Sequence, residues 1–443
     1  MCSQELEGCR VNAGGADGAG VSRREFLGLC AATGVSPLPV TDKPTGVYDV
    51  VVAGGGPAGL AAAVSAARMG KRTMLIESHG CLGGIWTSGM VGLCLDFDKG
   101  GLTREIAERL DGWGARKFPN FQTFSYEPEY MKLVCEDLCR EAGVRIRLGT
   151  LVTGAVREGR NIIAVVTESK SGRETWRATS FVDATGDGDL AARAGCGFDL
   201  GAGADGFGQP ASLLAAVLVE NPQELSRFNM LQNLKPGDPN PRDLFKAEMK
   251  RAGVEPSYGW PTLFFIHPHL AILMSTHAYK VRVDDADAIT EATLNARREV
   301  IGQVAALARL GGPWRNLRVA ATAEQIGHRC ARRIHGRYTL TRADLIAGSR
   351  FSDAVCECRY AADIHALDAQ MGRLRPADIE GATTGVSWHP FQIPLRALRA
   401  KDVDNLWMAG RCISGDFVAH ASYRVTGDAV ATGEAAGRAA AAG

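Results

Sequence analysis

Residues 47–70 read Val47-Tyr48-Asp49-Val50-Val51-Val52-Ala53-Gly54-Gly55-Gly56-Pro57-Ala58-Gly59-Leu60-Ala61-Ala62-Ala63-Val64-Ser65-Ala66-Ala67-Arg68-Met69-Gly70. The β-branched run up to Ala53 predicts a buried strand. The alanine-rich run from Leu60 predicts a helix, with Gly70 as its cap. Between them the glycines have separate tasks. Gly54 permits a tight turn, Gly56 lets the backbone approach a pyrophosphate, and Gly59 lets helix and strand pack closely. Pro57 and Ala58 open the helix, whose N-terminal N–H groups face the phosphates. A second strand runs from Arg72 to Ile76 and ends at Glu77, 23 positions after Gly54, where an acid accepts hydrogen bonds from a ribose diol. An acid there, in place of a basic residue, argues against a 2′-phosphate.

The flanking sequence chooses between cofactors. Glu77 is followed by Ser78-His79-Gly80-Cys81-Leu82-Gly83-Gly84-Ile85-Trp86-Thr87. The Gly83-Gly84 pair resembles the flavin-side loop of glutathione-reductase-like FAD proteins, a backbone without side chains to hold off a long cofactor. Segments 151–156, which include Val152, 162–166 and 175–178 are separated by good hairpin turns. They lead into Phe181-Val182-Asp183-Ala184-Thr185-Gly186-Asp187-Gly188-Asp189, a strand entering a second Gly/Asp turn. A third strand-to-glycine edge, Asn405 to Gly410-Arg411, precedes Val425-Thr426-Gly427 and a last alanine-rich helix. A helix N-terminus there stabilises negative charge on a reduced flavin.

These pieces together resemble the bacterial FAD-dependent oxidoreductase family, distantly related to fumarate-reductase-type flavoproteins. Gly327–Asp344, Phe391-Gln392-Ile393-Pro394 and Gly410-Arg411-Cys412-Ile413-Ser414 extend the match over most of residues 47–443. The resemblance implies FAD and an α/β fold: a Rossmann-like, glutathione-reductase-like FAD-binding domain with an inserted α+β substrate or cap domain. Cys330, where an acid is expected, and Asp416, where a small hydroxyl is commoner, depart from the pattern. The expected organisation is a disordered tail over 1–45, the first part of the FAD domain over 46–197, the cap over 198–395 and the rest of the FAD domain over 396–443. A helix is expected from Asp287 to Leu310, and strands over Thr262–Ile266 and Leu270–Ser275.

Composition narrows the remaining classes. Hydrophobic residues make up 46% of the 443-residue chain, which excludes disorder over most of it. A net charge of +1 gives no electrostatic grip on nucleic acid. No apolar run reaches the ~20 residues of a transmembrane helix. The 12 cysteines show no zinc-site spacing, and His267-Pro268-His269 lacks further ligands, so no metal is expected. A two-nucleotide disulfide reductase reads poorly: there is one complete GxGxxG unit, and Cys81 has no CxxC partner. Cys356-Glu357-Cys358 reads as two thiols at a strand or loop edge. Ser22-Arg23-Arg24-Glu25-Phe26-Leu27-Gly28, before a short apolar stretch, resembles a twin-arginine export signal, which implies a periplasmic or extracytoplasmic location, with a cytoplasmic one as the alternative.

For chemistry, His420 is the first candidate for proton exchange, since it stands between the Gly410 edge and the last helix; His365 is the second. Arg329 and Arg424 are candidate clamps for an anionic substrate group. Arg332, Arg333 and Arg396 are further candidates, and most of these arginines are expected to be solvated or to pair with acids such as Asp344, Asp353 and Asp363. The leading reading is hydride exchange between a small organic substrate and flavin, with a quinone, oxygen or a carrier protein as the other electron partner. The alternatives are a flavin monooxygenase or hydroxylase and a non-catalytic electron carrier. A halogenase reads poorly, because its Trp-x-Trp-x-Ile-Pro run is matched only in part by Trp388–Pro394.

Overall fold

A computed structural model describes residues 44–117, 120, 122–232, 234–370 and 388–443. The twin-arginine segment lies outside the described residues. The first strand, β1 (Pro44–Ala53), runs into helix α1 (Pro57–Arg68) and returns through β2 (Thr73–Ile76). β1 and β2 are parallel, in register from Val50 opposite Thr73 to Ala53 opposite Ile76. A strand at Arg145–Arg147 (β3) extends the sheet beyond β2. On the other side of β1, the antiparallel meander β4 (Leu151–Glu158), β5 (Asn161–Ser169) and β6 (Gly172–Asp183) closes against it through β6, which lies parallel to β1. The two separate segments expected over 175–183 are one 12-residue strand. Its first half pairs with the meander and its last three residues lie beside the parallel strand Leu406–Met408.

The sheet order therefore places β1 and β6 side by side, both ending at glycine turns. The sequence makes this centre dry: Val50, Val51, Val52, Phe181 and Val182 are fully buried. A strand covered on both faces needs such a run without polar alternation. The closing helix (Thr426–Ala442) crosses α1 at very short range. A Cβ at Gly433 or Gly437 would come within 2.2 Å of the carbonyl oxygen of Ala58 or Ala62. The alanines and glycines of both helices are what let the two backbones touch.

A second layer is built on the four-stranded antiparallel sheet of β7 (Ala215–Leu218), β8 (Thr262–His267), β9 (Leu270–Met274) and β10 (Arg318–Thr322), in the order β8-β9-β7-β10. Helices Pro241–Arg251 and Ala286–Arg309 cover it, around Phe228, Phe245 and Trp314. The long helix starts where Asp285 caps it, accepting from the Ala288 N–H at 2.9 Å. The expected cap boundary at 395 differs from the packing. Ile334, Leu340, Leu345, Cys358, Phe391 and Ile393 join the core of the dinucleotide layer. The reason is pairing: Arg332–Ile334 pairs with Phe198–Leu200, and Ala354–Cys358 with Phe391–Pro394, under the closing helices. The described residues form one compact unit. No helix among the described residues is long and apolar enough to cross a membrane.

Candidate functional site

The carboxyl ends of β1, β6 and Leu406–Met408 open onto one cleft. Gly54, Gly56, Pro57 and Ala58 form its first wall. Gly54 has φ 94°, the left-handed turn that only glycine adopts freely. Gly59 is not in the wall. It lies beneath, where a Cβ would stand 1.7 Å from the Gly54 carbonyl oxygen. Glu77 and Ser78 line the far end of the cleft. The buried Glu77 carboxylate accepts from the N–H of Gly55 at 2.6 Å and from that of His79 at 2.8 Å, so it ties the two loops together. Gly84 and Val152 complete that end. Gly83 and Thr87 stay behind it: the Gly83 N–H donates to Gly55, and the Thr87 hydroxyl donates to Leu82.

Ala184, Thr185, Gly186 and Asp187 form the opposite wall. Asp183 holds this turn. It accepts from the Thr185 N–H and hydroxyl and from the Ala191 N–H, and burial pushes its carboxyl up to about 6. Gly410, Arg411 and Thr426 close the third side. Arg411 donates to Asp187 at 2.5 Å, while its Nε is buried without a partner. The closing helix presents its first turn, Thr426 and Ala429, to the cleft. The residues fit an extended dinucleotide. A Cβ on Gly56 would meet nothing nearer than the Gly84 Cα at 4.0 Å, so two bare backbones flank an open slot at a helix N-terminus.

A second cavity continues from the first, sharing Ile85, Gly327, His328, Arg411, Arg424 and Thr426 with it. Val425 faces this cavity and is absent from the cofactor cleft. Arg329, Asp363 and His365 stand on its wall. Arg329 donates to the Pro210 carbonyl at 2.6 Å and to the Ser212 hydroxyl at 2.8 Å. Burial and the neighbouring Arg424 lower it to about 10. Arg424 donates to Asp363 Oδ2 at 3.0 Å, and its Nε is buried without a partner. Asp363 Oδ2 is also 3.2 Å from His365 Nε2. Burial raises this carboxyl, but His365, Arg424 and Arg329 outweigh it and hold Asp363 below the usual range. An ionised carboxylate only accepts, so His365 carries its proton on Nε2 and keeps its lone pair on Nδ1. Burial, then Arg329, lowers His365 to about 4, which leaves the ring neutral at pH 7.

His420 is placed differently from expectation. It is fully buried in the helix Phe417–Tyr423, with its ring edge-on to Tyr423 at 5.5 Å, and lines neither cavity. Its neighbour Asp416 caps that helix through the Ala419 N–H at 2.7 Å. The short helix turns the ring inward, so the residue next to the flavin elements in sequence supports them from behind. Arg332 pairs with Asp189, Arg333 donates to the Gly415 carbonyl, and Arg396 pairs with Asp353. Unforeseen are Tyr258, His277 and Arg242. The His277 ring lies 5.1 Å from His365 and 4.1 Å from Tyr258. Nothing local marks these three. Asp363-x-His365, two acid–base groups two positions apart, is the signal that sequence reading had available. Asp96, Cys358 and Asp428 come within 4.8 Å of one another, and the Lys99 ammonium stands 2.6 Å from Asp96 and 3.0 Å from Asp428, supplying the cation itself.

The sequence profile of the family described as FAD dependent oxidoreductase matches residues 49–443. The chain belongs to that family. It is an FAD-dependent oxidoreductase, and the cleft is the candidate site for its FAD. No curated protein is matched significantly. Among solved structures it is similar to a geranylgeranyl bacteriochlorophyll reductase-like protein from Thermoplasma acidophilum, at 14% identity over 89% of this chain and 77% of that one, with a TM-score of 0.42. It is similar also to p-nitrophenol 4-monooxygenase PnpA from Pseudomonas putida DLL-E4, at 14% identity over 65% and 68% of the two chains, with a TM-score of 0.37.

Proposed function

We propose that this flavoprotein exchanges a hydride between a small anionic organic substrate and FAD, with the substrate in the second cavity. The observation that carries the reading is the Asp363–His365 pair beside Arg329 and Arg424, on a wall continuous with the FAD cleft. Bound FAD supplies the hydride acceptor or donor. The chain's own residues manage the proton and the charge. In the oxidative direction, His365 Nδ1 takes the proton of a substrate hydroxyl. Asp363 fixes the tautomer and offsets the positive charge that His365 gains. Arg329, half-buried and held by neutral oxygens, faces the oxyanion that develops, and its attraction grows as that charge forms. In the reductive direction the same groups return the proton. The apolar walls, Val91, Leu93 and Leu214 among them, limit water around the reacting carbon.

The test is an anaerobic screen of alcohols, amines and acids that follows bleaching of the flavin absorbance. A substrate that bleaches the wild type should bleach Asp363→Asn about a hundredfold more slowly, with normal FAD content. Equal rates would remove the acid–base role. Reoxidation by oxygen, a quinone or a carrier protein is then assigned by adding each to the reduced protein. The reading extends to place: we infer export by the twin-arginine route from Arg23-Arg24 ahead of a cofactor-loaded domain.

A further inference from the structure

The second cavity has lining that the hydride step does not use. Arg242 is part of it, beside Tyr258, Trp260, Phe264 and Tyr360. Its guanidinium lies over the Trp260 ring at 4.3 Å, and one Nη contacts the Met230 sulfur at 2.7 Å. Among the described residues no carboxylate is within ion-pair distance of it, and its Nε is buried without a partner. This is unlike the other arginines of the cavity. Arg424 has Asp363, Arg411 has Asp187, and Arg329 has two neutral oxygens. Four guanidiniums thus line a cavity whose wall carries one carboxylate, Asp363, and the His365 ring beside them is neutral. A charge partly withdrawn from water and left unpaired is costly, and the cost is recovered when an anion arrives with its own acceptors.

Resting on the reading of this cavity as the substrate site, we propose that the substrate is an aromatic carboxylate bound end to end. Its carboxylate pairs with Arg242, its ring fills the chamber of Tyr258, Trp260, Phe264 and Tyr360, and its reacting carbon reaches the Arg329 and His365 end. A carboxylate suits the single free edge of one guanidinium. A phosphate has more acceptor positions than that edge serves. A planar ring suits walls made of rings, which prefer offset or edge-on neighbours. Arg242 is then a specificity-determining residue for a group distal to the chemistry.

The test titrates FAD-loaded, oxidised protein with 3- and 4-(hydroxymethyl)benzoate and with the matching benzamides, read by perturbation of the flavin spectrum and by calorimetry. The wild type should bind at least one benzoate about tenfold or more tightly than its amide. In Arg242→Gln this preference should disappear with the amide affinity kept within about threefold, and Arg242→Lys should restore part of it. Binding of acid and amide with equal affinity by the wild type would overturn the inference and leave the cavity reading standing. A preference that survives in Arg242→Gln but vanishes in Arg329→Gln would also overturn it, by moving the carboxylate to the flavin end. If no probe of either kind binds, the cavity reading and the inference both fall. The wild-type comparison needs no variant to fold.

Discussion

Gly56 and Gly59 stand three residues apart in the same turn, yet the structure gives them opposite sensitivities. Gly56 has φ −70° and open space around a notional Cβ, so a larger residue is tolerated by the protein alone. What it fills is the slot proposed for the cofactor. Gly56→Leu should therefore fold with a wild-type far-ultraviolet spectrum and purify without FAD; full flavin content would contradict the assignment. Gly59→Ala puts a Cβ 1.7 Å from a backbone oxygen, a clash that no rotamer relieves. It should lose about 3 kcal/mol or more of stability in denaturant titration, before any question of cofactor arises. Residues like these are legible in sequence because their task is local: a strand, a tight turn and a helix follow one another within 25 positions. His420 misleads for the same reason. Its neighbours in sequence face the cofactor, but helical phase decides where a ring points, and here it points into the core.

At the scale of elements, the closing helix carries a titratable group in its first turn. Asp428 is fully buried, and burial, joined by Asp96 and opposed by Lys99, raises its carboxyl to about 7. The fold thus holds a proton there that the unfolded chain gives up near the usual aspartate value. The stability tied to it is present in acid and is lost as pH rises through about 7. Asp428→Asn mimics the protonated form. It should differ least from the wild type near pH 4 and exceed it by about 2 kcal/mol or more once pH passes 7, with the gap level above that. A difference that does not vary with pH would place the proton elsewhere. The element pattern itself was readable: the helix after Asp285, the strands around His267 to Leu270 and the meander all follow from periodicity and turn residues. The cap boundary was not, because it depends on strands that pair across 33 to 136 positions.

For the molecule as a whole, the candidate cofactor cleft was legible and the second cavity was not. Each piece of the cleft announces itself with glycine after a strand. The cavity draws Ile85, Ser212, Arg242, Tyr258, Arg329, His365 and Arg424 from seven separate stretches, and only the assembled layers bring them together. The export reading also belongs to this scale. Replacing Arg23 and Arg24 by Lys should leave the protein in the cytoplasm with its FAD bound; unchanged fractionation would remove the signal. In the proposed reaction, substrate in the second cavity exchanges its hydride with FAD while His365 manages the proton. Stopped-flow reduction of three FAD-loaded proteins, the wild type, His365→Ala and His420→Ala, measures this most directly. The prediction is that His365→Ala slows flavin bleaching about a hundredfold while the flavin-loaded His420→Ala protein stays within about threefold of the wild type; the opposite order, or no loss in His365→Ala, would contradict it.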